Sequence, residues 1–226
     1  MAGFGMAASR IIDLRKLLAE RFPQEALPPV DRLVTGLRLF DEALGGGLTK
    51  GAITELSSAP PSAGSASIIA ALLQRACGER YFLALIDGRD SFAPPSLGNA
   101  ALRHLLWVRC RKASEAMQAA DLLLRDGNFP LVILDLVLNP LTELSRIPTS
   151  NWYRLQRLVE PAPTAFLVFT PRSMISSAQW KLVLENRWTL LQLDVAVADL
   201  QAQLKIRLQR AQPNKWRSDP KIARAG

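Results

Sequence analysis

Histidine is almost missing from this chain, cysteine is scarce, and long apolar runs do not occur. The single histidine is His104, which leaves little room for histidine-based acid–base chemistry. The two cysteines, Cys77 and Cys110, stand far apart and outside any CxxC spacing. With one histidine for company they argue against a zinc site, and a reduced cytoplasm is their natural setting. No apolar stretch approaches the roughly 18 residues of a membrane helix, so no membrane partner is expected. The opening residues Met1–Ala8 lack a basic segment followed by an apolar core, and do not read as a signal peptide.

What is present is the composition of an ordinary α/β globule: 226 residues, 49% hydrophobic and 21% charged. The net charge of +8 is placed unevenly, because residues 201–226 hold seven Lys and Arg against Asp219 alone. The basic character is a C-terminal feature after a nearly neutral body. At the other end, residues 10–22 have helical periodicity. Ile11, Leu14, Leu18 and Phe22 line one stripe with Leu17 beside it, while Arg10, Asp13, Lys16 and Glu20 face away. Pro23, Pro28 and Pro29 then mark a linker.

The middle of the chain alternates strands and helices. A glycine turn, Gly45-Gly46-Gly47 with Gly51, leads into a strand over Ala52–Leu56. The next helix is expected to reach about Ala76 and to stop at Gly78. Tyr81–Ile86, Leu131–Asp135 and Thr164–Phe169 are continuous apolar runs of the kind buried on both faces of a parallel sheet. Between them lie helices over Glu115–Arg125, with Ser114 as its cap and Gly127 as its stop, and over Thr149 or Ser150 to Val159. Such alternation predicts a mostly parallel sheet with helices on both faces. A further helix is expected over Ser177–Glu185, and the alternating segments Trp188–Leu193 and Leu204–Leu208 suggest an antiparallel edge extension. The division expected is residues 1–30 as helix and linker, 31–210 as the core, and 211–226 as a basic disordered tail.

The most informative stretch is Ala59-Pro60-Pro61-Ser62-Ala63-Gly64-Ser65-Ala66-Ser67, between a strand and a helix. Its spacing is nearly that of the phosphate-binding loop G-x-x-x-x-G-K-[ST]. With Gly64 as the second glycine, the first becomes Ala59, the lysine Ser65 and the hydroxyl residue Ala66. A polyanion thereby loses a charge-assisted contact, and a magnesium ion would be one ligand short. Ala59 crowds the backbone, and Pro60 and Pro61 remove two N–H donors. Lys50, upstream in the glycine turn, is no obvious replacement. Asp135, at a strand end, stands where a magnesium carboxylate would, but without partners at Ser65 and Ala66 it reads as structural. No catalytic residue, cofactor or metal is expected.

These segments together resemble the RecA core. Thr35-Gly36-Leu37, Phe40-Asp41, Leu44–Leu48, Gly51 and Ile53-Thr54-Glu55 are similar to its T-G, L-D, L-G-G-G-L, G and I-x-E entry to the phosphate loop. Ile86-Asp87-Gly88-Arg89 is similar to the I-D-A-E segment that carries its catalytic glutamate, with Arg89 at the glutamate position. Val132–Asp135 resembles the strand with the magnesium-organising aspartate, and Thr170-Pro171 falls on an altered Asn-Gln sensor. A closer resemblance is to the ImuA family, RecA-related accessory proteins of bacterial translesion synthesis. It rests on Ile53–Leu56 before a lysine-poor loop, on Leu85–Phe92, and on Arg146–Leu155, which is similar to L-P-x-x-x-W-x-R-L.

That resemblance implies a cytoplasmic, nucleoid-associated protein of the SOS response and DNA repair, acting in mutagenesis. It implies RecA, an ImuB-type Y-family polymerase homologue and an alternative replicative polymerase as partners. The N-terminal stripe of Ile11, Leu14, Leu17, Leu18 and Phe22 falls where RecA docks on its next protomer, and is the expected partner surface. Lys205, Arg207, Arg210, Lys215, Arg217, Lys221 and Arg224 fit phosphate contacts to DNA, with Trp216 placed to stack on a base. Alternatives are an active DNA-dependent ATPase of the RecA class and a division inhibitor like SulA. Asp87, Arg89 and Asp90 read as a local ion-pair cluster, Trp152 and Tyr153 as core, and His104 as a partly buried structural residue.

Overall fold

The computed structural model of the protein describes residues 31–58, 64–93, 98–189, 192 and 195–211. The expected helix over 10–22, Ala59 and the tail from Gln212 lie outside them. A two-stranded antiparallel sheet, β1 (Arg32–Leu33) and β2 (Leu48–Thr49), flanks helix α1 (Arg38–Ala43). The Asp41 carboxylate accepts hydrogen bonds from the Thr35 N–H at 3.0 Å, its hydroxyl at 2.7 Å and the Gly36 N–H at 3.1 Å. The T-G and L-D segments of the sequence are thus two ends of one turn.

The main sheet has strands β3 (Ala52–Ser57), β4 (Leu83–Asp87), β5 (Leu105–Arg109), β6 (Leu131–Asp135), β7 (Ala165–Thr170), β8 (Trp180–Leu184) and β9 (Ile206–Ala211). Its order is β5-β4-β6-β7-β3-β8-β9, parallel throughout except for β9, which runs antiparallel to β8. The helices between strands are α2 (Ser65–Gly78), α3 (Asn99–Leu102), α4 (Ala113–Asp126), α5 (Leu141–Leu144), α6 (Thr149–Val159) and α7 (Val197–Ala202).

Strand side chains alternate between faces, and the central strands are apolar on both. On one face Leu56, Leu85, Ile133, Leu167 and Phe169 pack under Ile68, Ile69 and Leu72 of α2. On the other, Ile53, Ile86, Val132, Leu134 and Val168 pack under Met117 and Ala120 of α4 and Trp152 and Leu155 of α6. Each such side chain, once fully buried, contributes roughly 1.5–3 kcal/mol.

Several local expectations are corrected. The helix expected over Ser177–Glu185 is strand β8, because Trp180–Val183 pair in parallel with Thr54–Ser57. Trp188 and Thr189 are in no strand; the expected Leu204–Leu208 segment does enter the antiparallel edge as part of β9, but its partner is β8. Gly78 is inside α2, and the left-handed residue closing that helix is Arg80, at φ 59°, with the Tyr81 N–H bonded to the Ala76 carbonyl at 3.0 Å. Ser114 is the second residue of α4 and caps nothing. The Glu143 carboxylate of α5 takes the Ala113 N–H instead, at 3.1 Å. Gly127 stops α4 as expected, at φ 67°. Trp152 is core at 2% exposure, whereas Tyr153 is a surface residue at 49%.

Candidate functional site

Strand β4 connects onward to β5 on one side, and β6 to β7 on the other, so the chain diverges between β4 and β6. Ligands of open parallel sheets bind outside the carboxyl ends of the strands at such a divergence. The residues ending these two strands are Asp87 and Asp135, directly opposite each other in register. Both project to the α2 face, since Leu83, Leu85, Leu131 and Ile133 of the same alternation lie in that core.

The two carboxylates have different environments. Asp87 is buried and accepts the backbone N–H groups of Arg89 at 3.3 Å, Ser91 at 3.0 Å and Phe92 at 2.8 Å, with the Ser91 hydroxyl and Trp107 indole N–H at 3.3 Å. It is the organiser of the loop after β4. The expected cluster of Asp87, Arg89 and Asp90 is therefore not an ion-pair cluster. Asp90 forms a two-pronged pair with Arg109 at 2.5 and 2.7 Å, which holds its carboxyl below the usual range. Arg89 turns to the Arg111 carbonyl at 3.2 Å and Glu143 at 3.9 Å.

Among the described residues the Asp135 carboxylate has one hydrogen bond, from the Val137 N–H at 3.0 Å. The residue keeps some exposed surface, but its carboxyl is surrounded by protein. Burial pushes it up to about 6, the Val137 bond opposing and neighbouring Asp87 adding to the rise. Gly88 lets the two strand ends meet: a Cβ there would lie 2.3 Å from Asn139 Oδ1 and 2.7 Å from the Asp135 carbonyl oxygen. The Gly88 N–H donates to that carbonyl at 2.9 Å, and Asn139 Nδ2 donates to the Gly88 carbonyl at 3.0 Å.

At the end of β3, Gly64 sits in the left-handed region at φ 106° and starts α2 without a side-chain cap. Ser65 is buried and Ala66 exposed in the first turn. The ring of Trp188 lies against Gly64, 2.7 Å from where a Cβ would be, with Leu204 at 3.0 Å. Gln201 of α7 adds a bond to the Ser67 carbonyl at 3.4 Å. The segments flanking α7 therefore sheathe the start of α2. Lys50 lies before β3 begins, at the opposite end of the strand, and pairs with Asp31 at 2.9 Å.

The end of β7 is tied down from inside. Glu55, fully buried in β3, accepts the Thr170 hydroxyl at 3.1 Å, the Ser173 hydroxyl at 3.1 Å and the N–H groups of Met174 at 2.7 Å and Ile175 at 3.1 Å. Lys181 of β8 completes the shell at 3.1 Å. Both charges are thus paired and hydrogen-bonded, as burial requires.

Of the basic residues, Lys205, Arg207 and Arg210 lie on or beside β9 and are exposed, and Arg207 pairs with Glu185 at 2.5 Å. A bulge places Arg210 opposite Lys181. Lys215, Trp216, Arg217, Lys221 and Arg224 lie outside the described residues, as do Ile11, Leu14, Leu17, Leu18 and Phe22. Among the described residues no three His, Cys, Asp or Glu side chains group as metal ligands, and no helix is long and apolar enough to cross a membrane.

Compared with known proteins, the chain is 28% identical over 120 residues to protein RecA of Frankia alni, covering 52% of this chain and 34% of the relative. It is 29% identical over 120 residues to protein RecA of Frankia casuarinae, with the same shares of each chain. The chain has a distant RecA-like relationship. The match spans about a third of the length of these curated relatives. No family model matches the chain. Sequence reading located Gly64, Asp87 and Asp135 of this RecA-like sheet. It missed the Glu55 hub, the Trp188 contact and the Glu143 cap, whose partners are remote in sequence and leave no local pattern.

Proposed function

We propose that this chain is a non-hydrolysing, RecA-like accessory protein of DNA-damage-induced translesion synthesis and mutagenesis. It acts by binding RecA, an ImuB-type Y-family polymerase homologue with an alternative replicative polymerase, and DNA, in the cytoplasm at the nucleoid. The observation that supports a binding role is how the strand ends are occupied. Arg89 is engaged by Glu143 and the Arg111 carbonyl, Thr170 by Glu55, and Gly64 by Trp188. The positions for lysine and hydroxyl hold Ser65 and Ala66. Phosphoryl transfer depends on positioning and charge stabilisation, and the side chains that would supply both are missing or turned to structure. Lys205, Arg210 and the basic positions beyond them supply the cations for DNA.

A second reading, an active RecA-class ATPase with an atypical loop, is favoured by one feature: Asp87 and Asp135 stand together at the divergence of the sheet. The binding reading is tested by measuring association of the full chain with immobilised RecA, with and without residues 1–30. Loss of binding on deletion supports docking through the N-terminal stripe; unchanged binding removes it.

A further inference from the structure

An open groove of about 840 Å³ lies between the N-terminal halves of α4 and α6, on the face of the sheet opposite α2. Its floor is apolar, formed by Met117, Ile147 and Leu155, and Leu122 stands on its wall at 68% exposure. It is an exposed apolar side chain beside the apolar floor of the groove. The Arg146–Leu155 segment singled out in the sequence divides here: Trp152 points into the core, while Arg146, Ile147 and Arg154 face the groove.

Charge decides what fits. The groove contains two carboxylates, and both are committed. Asp121 is held by Arg125 at 2.9 Å and Arg154 at 2.8 Å. Glu143 takes the Ala113 N–H and faces Arg89. Lys112 and Arg146, both exposed, have no ion pair among the described residues. The N-terminus of α4 is met by Glu143, but α6 has no side-chain cap bond, so the positive end of its dipole adds to this end of the groove. The result is a groove with an apolar floor, a polar rim and two cations, Lys112 and Arg146, without ion-pair partners among the described residues.

We infer that this groove docks a short amphipathic helix of a partner protein, its apolar face on Met117, Leu122 and Ile147 and its acidic residues toward Lys112 and Arg146. Helix-in-groove recognition of this kind reads apolar anchors at i, i+3, i+4 and i+7. A nucleic-acid backbone fits less well, because its phosphates would run past Asp121 and Glu143 over an apolar floor. The groove adjoins the strand ends through the Arg89–Glu143 pair.

The test uses the full chain and a fluorescein-labelled designed peptide of about 15 residues, with leucine at i, i+3, i+4 and i+7 and glutamate on its flanks. Fluorescence anisotropy should show saturable binding, weakened about ten-fold or more by Leu122→Glu and by Arg146→Glu. Both sites are exposed, and Lys112→Glu serves as a third variant should either fail to fold. The inference is overturned by equal binding of the lysine-for-glutamate peptide, by displacement with a thymidine oligonucleotide, by unchanged affinity in the variants, or by absence of saturation.

Discussion

Replacing Glu55 with glutamine keeps the shape of the side chain and removes its charge at a fully buried, five-partner point of the fold. One oxygen remains to accept from Thr170, Met174 and Ile175, so those three bonds survive. The other becomes an NH₂ group facing the Ser173 hydroxyl and the Lys181 ammonium, two groups that had donated to it. Lys181 is only 12% exposed and is left as an uncompensated buried charge. Removing one partner of a buried pair costs about 3–5 kcal/mol, and the retained bonds put Glu55→Gln near the lower end. That is a large share of the roughly 5–15 kcal/mol that holds a domain folded. Adding Lys181→Met removes the orphaned ammonium, so the double variant should lie within about 1–2 kcal/mol of the parent. Urea unfolding followed by tryptophan fluorescence, at constant m-value, measures all three. A Glu55→Gln cost below about 1 kcal/mol, or a double variant that costs the sum of the singles, would refute the pair as the anchor of the loop after β7.

Two further substitutions probe the strand ends. Asp135 has its carboxyl raised from 3.8 to about 6, so the folded state holds the proton more tightly than the unfolded chain. Its contribution favours folding at low pH and is lost as pH rises from about 4 to 6, a difference of about 3 kcal/mol. Asp135→Asn should therefore stabilise the protein by about 2–3 kcal/mol at pH 7 and by nearly nothing at pH 4; a gain independent of pH would contradict the assignment. Gly64→Ala should cost about 2–4 kcal/mol in thermal or urea unfolding, from the left-handed backbone and the clash with Trp188. In a Trp188→Ala background the added cost should fall to the backbone share of about 1–2 kcal/mol, and an unchanged increment would refute the contact.

The central strands β4, β6 and β7 were legible because strands buried on both faces are apolar with little interruption, as in Leu131–Leu134, whereas β3, broken by Thr54 and Glu55, was legible from the glycine turn before it. Their ends were legible for the same reason, since a carboxylate such as Asp135 breaks such a run. Strand β8 was not. Trp180-Lys-Leu-Val-Leu184 after Ser177 has the composition of a helix start, and its extended state comes from pairing with β3 and from the reach of Lys181 to Glu55. Strand β5 lies at the sheet edge and mixes Trp107 and Arg109 with aliphatics, so its alternation is blurred. The cap of α4 comes from Glu143, 30 residues away, where a local rule pointed to Ser114. In the candidate site, Glu55 looked like one more strand residue because its hydrogen-bond partners are 115 to 120 residues further along. Trp188 looked like a strand residue because its target, Gly64, is equally remote.

The most direct measurement is equilibrium binding of a fluorescent ATP analogue to the full chain with Mg²⁺, followed by phosphate release. For a sheet whose strand ends are tied into protein contacts, the expected result is no saturable micromolar binding and no turnover, with Asp135→Ala unchanged from the parent. Micromolar affinity together with turnover that Asp135→Ala abolishes would contradict it.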